Sequence, residues 1–200
     1  MPWLKPVTLV GKNIKLVPLG LEHELALREA VCDGELWKLW YTFIPKPELM
    51  HSEIKRRLEL QQMESMLPFV VIEQSSGQIL GMTSYMNVVA EHRRVEIGST
   101  WYRQSVQRSY VNTEAKQLLL THAFEILNCI AVEFRTSSFN LKSRAAIERL
   151  GAKLDGVLRS HQIVQDDILR DTYVYSILKN EWPAVQQNLA WKLEQSRCFK

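Results

Sequence analysis

Three polar side chains in the middle of the chain have the types and spacing that proton transfer beside a bound ligand requires. Glu96 interrupts an apolar run between Val95 and Ile97, and Asn140 stands three residues before Ser143. A carboxylate at the Glu96 position can accept a proton from an ammonium group, directly or through water. The alternative is a solvated glutamate on the face of a strand, and the sequence favours neither.

Asn140 and Ser143 lie at the start of a predicted helix that ends at Gly151. Asn is a favoured N-cap residue and Gly a favoured C′ residue, so both have a purely structural explanation. Ser143 lies about one helical turn after Asn140, which places the two side chains on one face of the helix. That face is a candidate ligand-binding face.

The segment from Gln107 to Asn112 joins a predicted strand to a predicted helix. The first amides of a helix have no partner inside the helix and lie at the positive end of its dipole. A diphosphate binds well at such a position, and Arg103 and Arg108 add positive charge. Taken alone, the segment is better explained as an ordinary capped helix start. Its position between Glu96 and the Asn140 helix favours an anion site.

The elements that would position these residues alternate between strands and helices. Apolar periodicity and turn residues predict the following elements in chain order: strand Ile14–Pro18, helix Leu21–Cys32, helix His51–Met66, strands Phe69–Glu73 and Ile79–Tyr85, strand Val95–Tyr102, a long helix after the Gln107–Asn112 turn, strand Val132–Thr136, the Asn140 helix, strands Gly156–Val164 and Asp171–Leu178, and helix Pro183–Glu194. This order predicts a mixed sheet with helices on both faces.

Length and composition suit one globular domain over residues 1–200, in which residues 183–200 form a C-terminal helix and tail. The chain has 200 residues, of which 46% are hydrophobic and 24% charged. A net charge of +3 is too small for a nucleic-acid-binding face. No segment approaches the roughly 20 apolar residues of a membrane helix, and the start lacks a signal core. We therefore expect no nucleic-acid partner, no membrane association and a cytoplasmic location.

The cysteines and histidines show no pattern of a metal or disulfide framework. Three cysteines lie far apart, and five histidines lack the spacing of a zinc site. The sequence predicts no metal.

The region from Arg94 to Gly151 resembles the GNAT acyl-CoA N-acetyltransferases, and most closely the branch that includes the RimJ and RimL ribosomal-protein acetyltransferases. The likeness extends from about Val7 to Trp182 and is strongest between Val95 and Val174. It implies an α/β fold with a central, splayed, mostly antiparallel sheet flanked by helices. Acetyl-CoA would enter between the strands of Glu96 and Val132. The chain departs from the family's Gln/Arg-x-x-Gly-x-Gly/Ala turn, because Tyr110 and Asn112 replace both glycines.

The resemblance also implies the site residues. The catalytic candidates are a base and three possible donors to the departing thiolate, with Ser143 ranked above the two tyrosines: Glu96, Ser143, Tyr173 and Tyr175. In the family, the side chain at the Asn140 position bonds the pantetheine arm of CoA. The cofactor-binding candidates are Trp101, Tyr102, Arg103, Gln107, Arg108, Ser109, Tyr110, Val111, Asn112, Thr113, Asn140, Ser143 and Arg144. A backbone amide near Thr100 to Tyr102 would stabilise the oxyanion.

The implied reaction is acetyl transfer from acetyl-CoA to a primary amine. A lysine amine, with a pKa of about 10.4, is almost wholly protonated at neutral pH, whereas an α-amine with a pKa of about 7.7–8.0 is partly neutral. A protein N-terminal α-amine is therefore the preferred acceptor. Two alternatives remain: a small amine such as an aminoglycoside or polyamine, and a non-catalytic CoA-binding sensor. The partner would be the amine acceptor, and the protein a monomer or homodimer. An aromatic loop is a candidate contact for the acceptor, and it contains Trp37, Trp40, Tyr41 and Phe43.

Overall fold

The computed structural model describes residues 3–198. The strands are β1 (Leu9–Val10), β2 (Ile14–Pro18), β3 (Met66–Glu73), β4 (Ile79–Val89), β5 (Arg94–Tyr102), β6 (Ala131–Ser137), β7 (Lys153–Ile163) and β8 (Leu169–Leu178). The helices are α1 (Glu24–Cys32), α2 (Met50–Gln62), α3 (Tyr110–Thr121), α4 (Leu141–Leu150) and α5 (Trp182–Cys198). One π-helical turn, His122–Ile126, continues α3. Residues 1, 2, 199 and 200, which the predicted domain and its C-terminal tail include, lie outside the described residues.

The eight strands form one sheet in the order β1-β2-β3-β4-β5-β6-β8-β7. Neighbouring strands are antiparallel except for β5 and β6, which are parallel. These two strands pair only over Arg94–Glu96 and Ala131–Glu133. Beyond this point they splay, because β5 continues to Tyr102 and β6 to Ser137 without further pairing to each other. The predicted splayed, mostly antiparallel sheet is confirmed.

Helices cover the sheet on both faces. On one face, α3, α4 and α5 bury apolar residues such as Ala115, Leu150 and Leu189 in a core with β2 to β6 and β8. On the other face, α1 and α2 bury Leu27 and Ile54 against β3, β4 and β5. The alternation of strand residues between these two cores decides which face each polar side chain of β5 and β6 occupies.

The predicted helix His51–Met66 was wrong at its C-terminal end. Helix α2 stops at Gln62, and Met66 is already the first residue of β3. The cause is a left-handed backbone at Glu64, with φ of 56°, and a bond from the Ser65 amide back to the Leu60 carbonyl at 3.0 Å. This is the six-to-one closure of a Schellman motif, made without glycine. The sequence alone gave no glycine signal for the stop.

Other ends of strands and helices differ from the prediction by a few residues. Strand β7 begins at Lys153 rather than Gly156, and β8 at Leu169 rather than Asp171. The C-terminal helix α5 is longer than predicted, with 17 residues. No helix in residues 3–198 is long and apolar enough to cross a membrane.

Candidate active site

Strand β5 carries a β-bulge close to the point where it leaves β6. Met82 of β4 pairs with Trp101, and Ser84 pairs with Gly98. Two residues of β5, Ser99 and Thr100, therefore stand opposite the single residue Thr83. Ser99 also has a positive φ of 48°. A bulge leaves one residue outside the ladder. The bulge contains Thr100, the first residue of the segment whose backbone was expected to stabilise the oxyanion.

Glu96 occupies the last paired position before the splay, opposite Glu133. Its residue is only 4% exposed, so it is not a solvated glutamate on a strand face. Asn87 Nδ2 donates a hydrogen bond of 2.6 Å to Glu96 Oε2, and Arg135 Nε lies 3.5 Å from the same oxygen. The carboxylate is therefore held in a defined position on the face of the sheet that carries α1 and α2.

Burial raises the pKa of Glu96 above its ordinary value, while the hydrogen bond from Asn87 and the charge of Arg135 oppose the rise. A carboxylate with a raised pKa is a better proton acceptor near neutral pH. Neither Asn87 nor Arg135 was predicted from the sequence. Neither stands in a motif, and the pairing of β4 and β6 with β5 is what brings them to Glu96.

Gly98 explains how the carboxylate reaches the bulge. A Cβ atom at Gly98 would lie 2.8 Å from Glu96 Oε1 and 2.6 Å from Met86 Sδ. Both contacts are with the ends of flexible side chains, so a Cβ at this position would displace the Glu96 carboxylate and Met86 from where they lie. The proton acceptor and the irregular backbone are thus immediate neighbours.

Helix α3 begins at a capped and open turn. The Ser109 hydroxyl accepts from the Val111 amide at 3.3 Å and donates to the Val106 carbonyl at 2.6 Å. Gln107, Arg108 and Ser109 are exposed. The amides of the first turn lie at the positive end of a 12-residue helix, so an anion can reach them.

The replacement of a turn glycine by Tyr110 does not put a free ring over this turn. The Tyr110 ring packs against the apolar core, and its hydroxyl donates to Glu73 Oε1 at 3.1 Å. Asn112, at the second glycine position, is half-buried and Val111 is buried. Gln107 Nε2 donates to the Tyr102 carbonyl at 3.2 Å, which ties the turn to the end of β5.

Four other predicted cofactor residues have buried side chains. Arg103 donates to the Ile79 carbonyl at 2.8 Å and to Glu29 at 2.9 Å. Thr113 accepts from Arg149 at 2.9 Å. Trp101 lies in the core beneath α1 and α2, and Tyr102 lies in the opposite core. These four side chains therefore lie inside the protein rather than on its surface.

Asn140 caps helix α4. Its Oδ1 atom accepts from the Ser143 amide at 3.1 Å, and Gly151 takes the left-handed conformation, with φ of 105°, at the other end. The capping explanation is thus realised for both residues. Because the cap uses Oδ1, the Nδ2 group can still donate to a ligand. Asn140 and Ser143 are both half-buried, and both belong to the first turn of α4.

The tyrosines predicted as proton donors lie in a cluster between β8 and α4. The Tyr175 hydroxyl donates to Glu148 Oε1 at 2.9 Å and accepts from Arg144 Nε at 3.3 Å. The Arg144 guanidinium also lies 4.0 Å from the centre of the Tyr173 ring. Burial raises the pKa of Tyr175, and its proton is already engaged. Of the three predicted donors, Tyr175 is thus one whose hydroxyl is already bound within the protein.

Two further surfaces are candidate contacts for an acceptor. A cleft of about 410 Å³ lies beside Arg135 and is also lined by Glu133, Asp155, Leu158 and Val174. The predicted aromatic loop contributes the second surface. Trp40, 51% exposed, packs on Phe139 with ring centres 5.1 Å apart. Phe139 directly precedes Asn140, so this aromatic lip borders the candidate cofactor site.

Residues 13–153 match the family model described as "Acetyltransferase (GNAT) domain". The match covers most of the chain and contains β5, the bulge, the α3 turn and helix α4. The chain belongs to the GNAT acetyltransferase family.

Individual relatives agree with this membership. A Bacillus subtilis (strain 168) protein named "Putative ribosomal N-acetyltransferase YdaF" is 35% identical over 106 residues, which cover 53% of this chain and 57% of that protein. The chain thus aligns with little more than half the length of this curated relative. The crystal structure of a GCN5-related N-acetyltransferase from Brucella melitensis has a TM-score of 0.85 at 26% identity, covering 96% of this chain and 87% of that one.

The structure of Mycobacterium smegmatis RimJ in complex with CoA-disulfide shares the fold. Its TM-score is 0.79 at 22% identity, and the match covers 94% of this chain and 95% of RimJ. The predicted RimJ-like architecture is confirmed.

Proposed function

We propose that this protein transfers the acetyl group of acetyl-CoA to a primary amine, with a protein N-terminal α-amine as the preferred acceptor. The observation that carries the proposal is the buried Glu96 carboxylate beside the β5 bulge, at the mouth of the splay. A proton acceptor and the irregular backbone of the bulge lie next to each other where the substrate thioester would enter. Family membership supports the choice of acetyl donor.

Acetyl-CoA fits the residues that line the splay. Its diphosphate would bind the open amides of the α3 start, where Arg108 is exposed and can pair with it. Its pantetheine arm would lie along the unpaired edges of β5 and β6 and accept a hydrogen bond from Asn140 Nδ2. The thioester would then reach the bulge.

Each chemical requirement of the transfer has a residue. Glu96 takes the proton from the acceptor ammonium, directly or through one water. The neutral nitrogen attacks the thioester carbon, and a backbone amide of the bulge stabilises the oxygen that gains negative charge. The carbon–sulfur bond breaks as the nitrogen gives up its second excess proton. The Ser143 or Tyr173 hydroxyl passes a proton to the CoA thiolate and takes up the one that the nitrogen releases, so it ends the reaction unchanged.

The charges that line the cleft beside Arg135 favour a peptide acceptor over a polycation. In the cleft, Glu133 is bound by Arg94 at 2.6 Å and by Arg135 at 2.9 Å. Asp155 accepts from Ser176 at 3.0 Å. The charged side chains that line the cleft are two arginines and two carboxylates, so the cleft carries no excess negative charge for a polyamine. The exposed aromatic lip of Trp40 and Phe139 can instead hold the apolar side chains that follow a peptide α-amine.

The acceptor class is tested by measuring thiol release from acetyl-CoA against matched amines. Three substrates are compared. The first is a peptide with a free α-amine, the second is the same peptide with an N-formyl group and an internal lysine, and the third is spermidine. We expect release with the free α-amine and little with the other two. Release that is highest with spermidine would reverse the choice of acceptor. Tight binding of acetyl-CoA without release to any amine would instead favour the non-catalytic sensor.

Acetyl-CoA should raise the melting temperature because it binds only the folded protein. At a hundred times its dissociation constant, the added stability is about 2.7 kcal/mol. S-acetylpantetheine, which lacks the diphosphate, is the matched ligand and should give a much smaller rise at the same concentration. Equal shifts for the two ligands would contradict diphosphate binding at the start of α3.

Two substitutions separate the capping and ligand roles of Asn140. Asn140→Ala removes the cap oxygen and the Nδ2 donor together, so it should cost about 1 kcal/mol of stability and raise KM for acetyl-CoA. Asn140→Asp keeps the cap oxygen, so its stability should be near that of the wild type while KM still rises. Thermal melts and initial rates measure the two effects. A wild-type KM in Asn140→Asp would leave Asn140 as a helix cap alone.

A further inference from the structure

Two buried cations approach the β5 bulge from opposite faces of the sheet. Arg57 comes from α2 and Lys116 from α3, and they are 2% and 5% exposed. Arg57 binds an oxygen atom of the first bulge residue, Ser99, and Lys116 binds an oxygen atom of the second, Thr100. Neither cation stands in a recognisable motif of the sequence.

Arg57 fixes the first bulge residue. Its Nη1 and Nη2 atoms donate to the Ser99 carbonyl at 3.3 and 3.4 Å, and Nη1 also donates to Ser84 Oγ at 3.1 Å. The Nε atom is paired with Glu53 Oε1 at 2.6 Å. The guanidinium therefore links a buried carboxylate of α2 to the backbone of Ser99, the residue with the positive φ.

Lys116 fixes the second bulge residue. Its Nζ atom donates to Thr100 Oγ1 at 2.8 Å and to Thr83 Oγ1 at 3.3 Å. The Thr100 hydroxyl in turn donates to the Gly98 carbonyl at 3.3 Å. A chain of contacts thus runs from α3 through Thr100 to Gly98, the residue against which the Glu96 carboxylate lies.

Packing alone does not explain why residue 116 is a lysine. The side chain has no ion-pair partner among residues 3–198, and its contacts are the two threonine hydroxyls. Burial lowers the pKa of Lys116 to about 7. A buried lysine is costly compared with an apolar residue of the same length, so a helix that only needed to pack would do better with methionine.

We propose that Arg57 and Lys116 are positioning residues that hold the β5 bulge in the shape that acetyl transfer requires. A non-glycine residue at positive φ persists only when its surroundings hold it, and the two cations supply that support from both faces. The bulge then presents its backbone amide to the thioester oxygen and keeps Gly98 beside Glu96. This proposal rests on the proposed function.

The experiment removes the Lys116–Thr100 contact from either side. Lys116→Met removes the donor at similar length, Thr100→Val removes the acceptor at similar shape, and Thr100→Ser keeps the hydroxyl. Arg57→Lys keeps a cation beside Glu53 but removes the fork to Ser84 and Ser99. Exposed Lys55, on α2, provides the control substitution Lys55→Met. Steady-state kinetics and amide hydrogen exchange of residues 95–102 are measured for all variants.

We expect Lys116→Met, Thr100→Val and Arg57→Lys to lower kcat by about 10- to 100-fold, since small misplacements in a site have effects of this size. The KM for acetyl-CoA should stay within about twofold of the wild type, because the diphosphate contacts at the α3 start are intact. Exchange in residues 95–102 should become faster. Thr100→Ser should lose much less activity than Thr100→Val, and Lys55→Met should behave like the wild type. The double variant Lys116→Met with Thr100→Val should be no worse than the worse single variant.

Three results would overturn the positioning role. Two of them are unchanged exchange in Lys116→Met and Thr100→Val, and faster exchange with wild-type kcat. Losses that add in the double variant would also overturn it, because the two residues would then act separately. The hydrogen-exchange comparison needs no activity. If the wild-type protein transfers no acetyl group, the proposed function fails and catalytic positioning fails with it, while unchanged or faster exchange still shows whether the cations hold the bulge.

Discussion

Glu96→Gln is expected to lower kcat by about 10²-fold at slightly acid pH, and the loss should shrink as the pH rises. The amide keeps the shape of the side chain but cannot accept the proton. Loss of a positioned base costs typically 10²–10⁴-fold, and an α-amine acceptor, already partly neutral, belongs at the low end of this range. At low pH the amine is fully protonated and needs the base most. A pH–rate profile with a saturating free α-amine peptide measures the effect.

The control for this substitution is Glu133→Gln. Glu133 is the pairing partner of Glu96 across β5 and β6 and binds the same Arg135. Its loss disturbs the ion network but leaves the Glu96 carboxylate in place. The pH profile of Glu133→Gln should therefore parallel that of the wild type near and above neutral pH. Its acid limb should move to lower pH, because the Glu133 charge raises the pKa of Glu96. A Glu96→Gln profile that also runs parallel would exclude Glu96 as the base and move attention to a water held by backbone carbonyls.

The parts of the site that follow local rules were predictable from the sequence. Asn140 and Gly151 obey the capping preferences, and their positions were confirmed as the ends of α4. The Glu96 strand was recognised from its apolar neighbours. Its burial was not, because the sequence left a solvated glutamate equally open, and the pairing of β4 and β6 on either side is what encloses the carboxylate.

The rest depends on contacts between distant segments. Lys116 lies 16 residues from Thr100 and 33 from Thr83 in sequence, and Arg57 lies 42 residues from Ser99. No short pattern links such positions. The bulge itself has no glycine signal, since Ser99 takes the positive φ. The end of α2 at Glu64 was missed for the same reason.

Lys116→Met should raise the melting temperature most below pH 7, and this gain should shrink as the pH rises towards 10. In the folded protein, burial lowers the pKa of Lys116 to about 7, against 10.5 for the free side chain. Between these values the unfolded chain holds a proton that the folded protein does not, so wild-type stability rises with pH across this window. The slope is roughly 1.4 kcal/mol per pH unit, so the full change amounts to several kcal/mol.

The pH dependence is more informative than the absolute melting temperature. Methionine also removes a donor from Thr83 and Thr100, which costs about 1 kcal/mol for each hydrogen bond lost, but that cost is the same at every pH. The difference between wild type and Lys116→Met therefore isolates the buried amine. Lys55→Met, which removes an exposed lysine from α2, should give a curve parallel to that of the wild type. If Lys116→Met is parallel as well, the Lys116 amine keeps an ordinary pKa in the folded protein. A gain in stability below pH 7 together with a lower kcat would show that the chain keeps a costly buried lysine at the bulge for its activity.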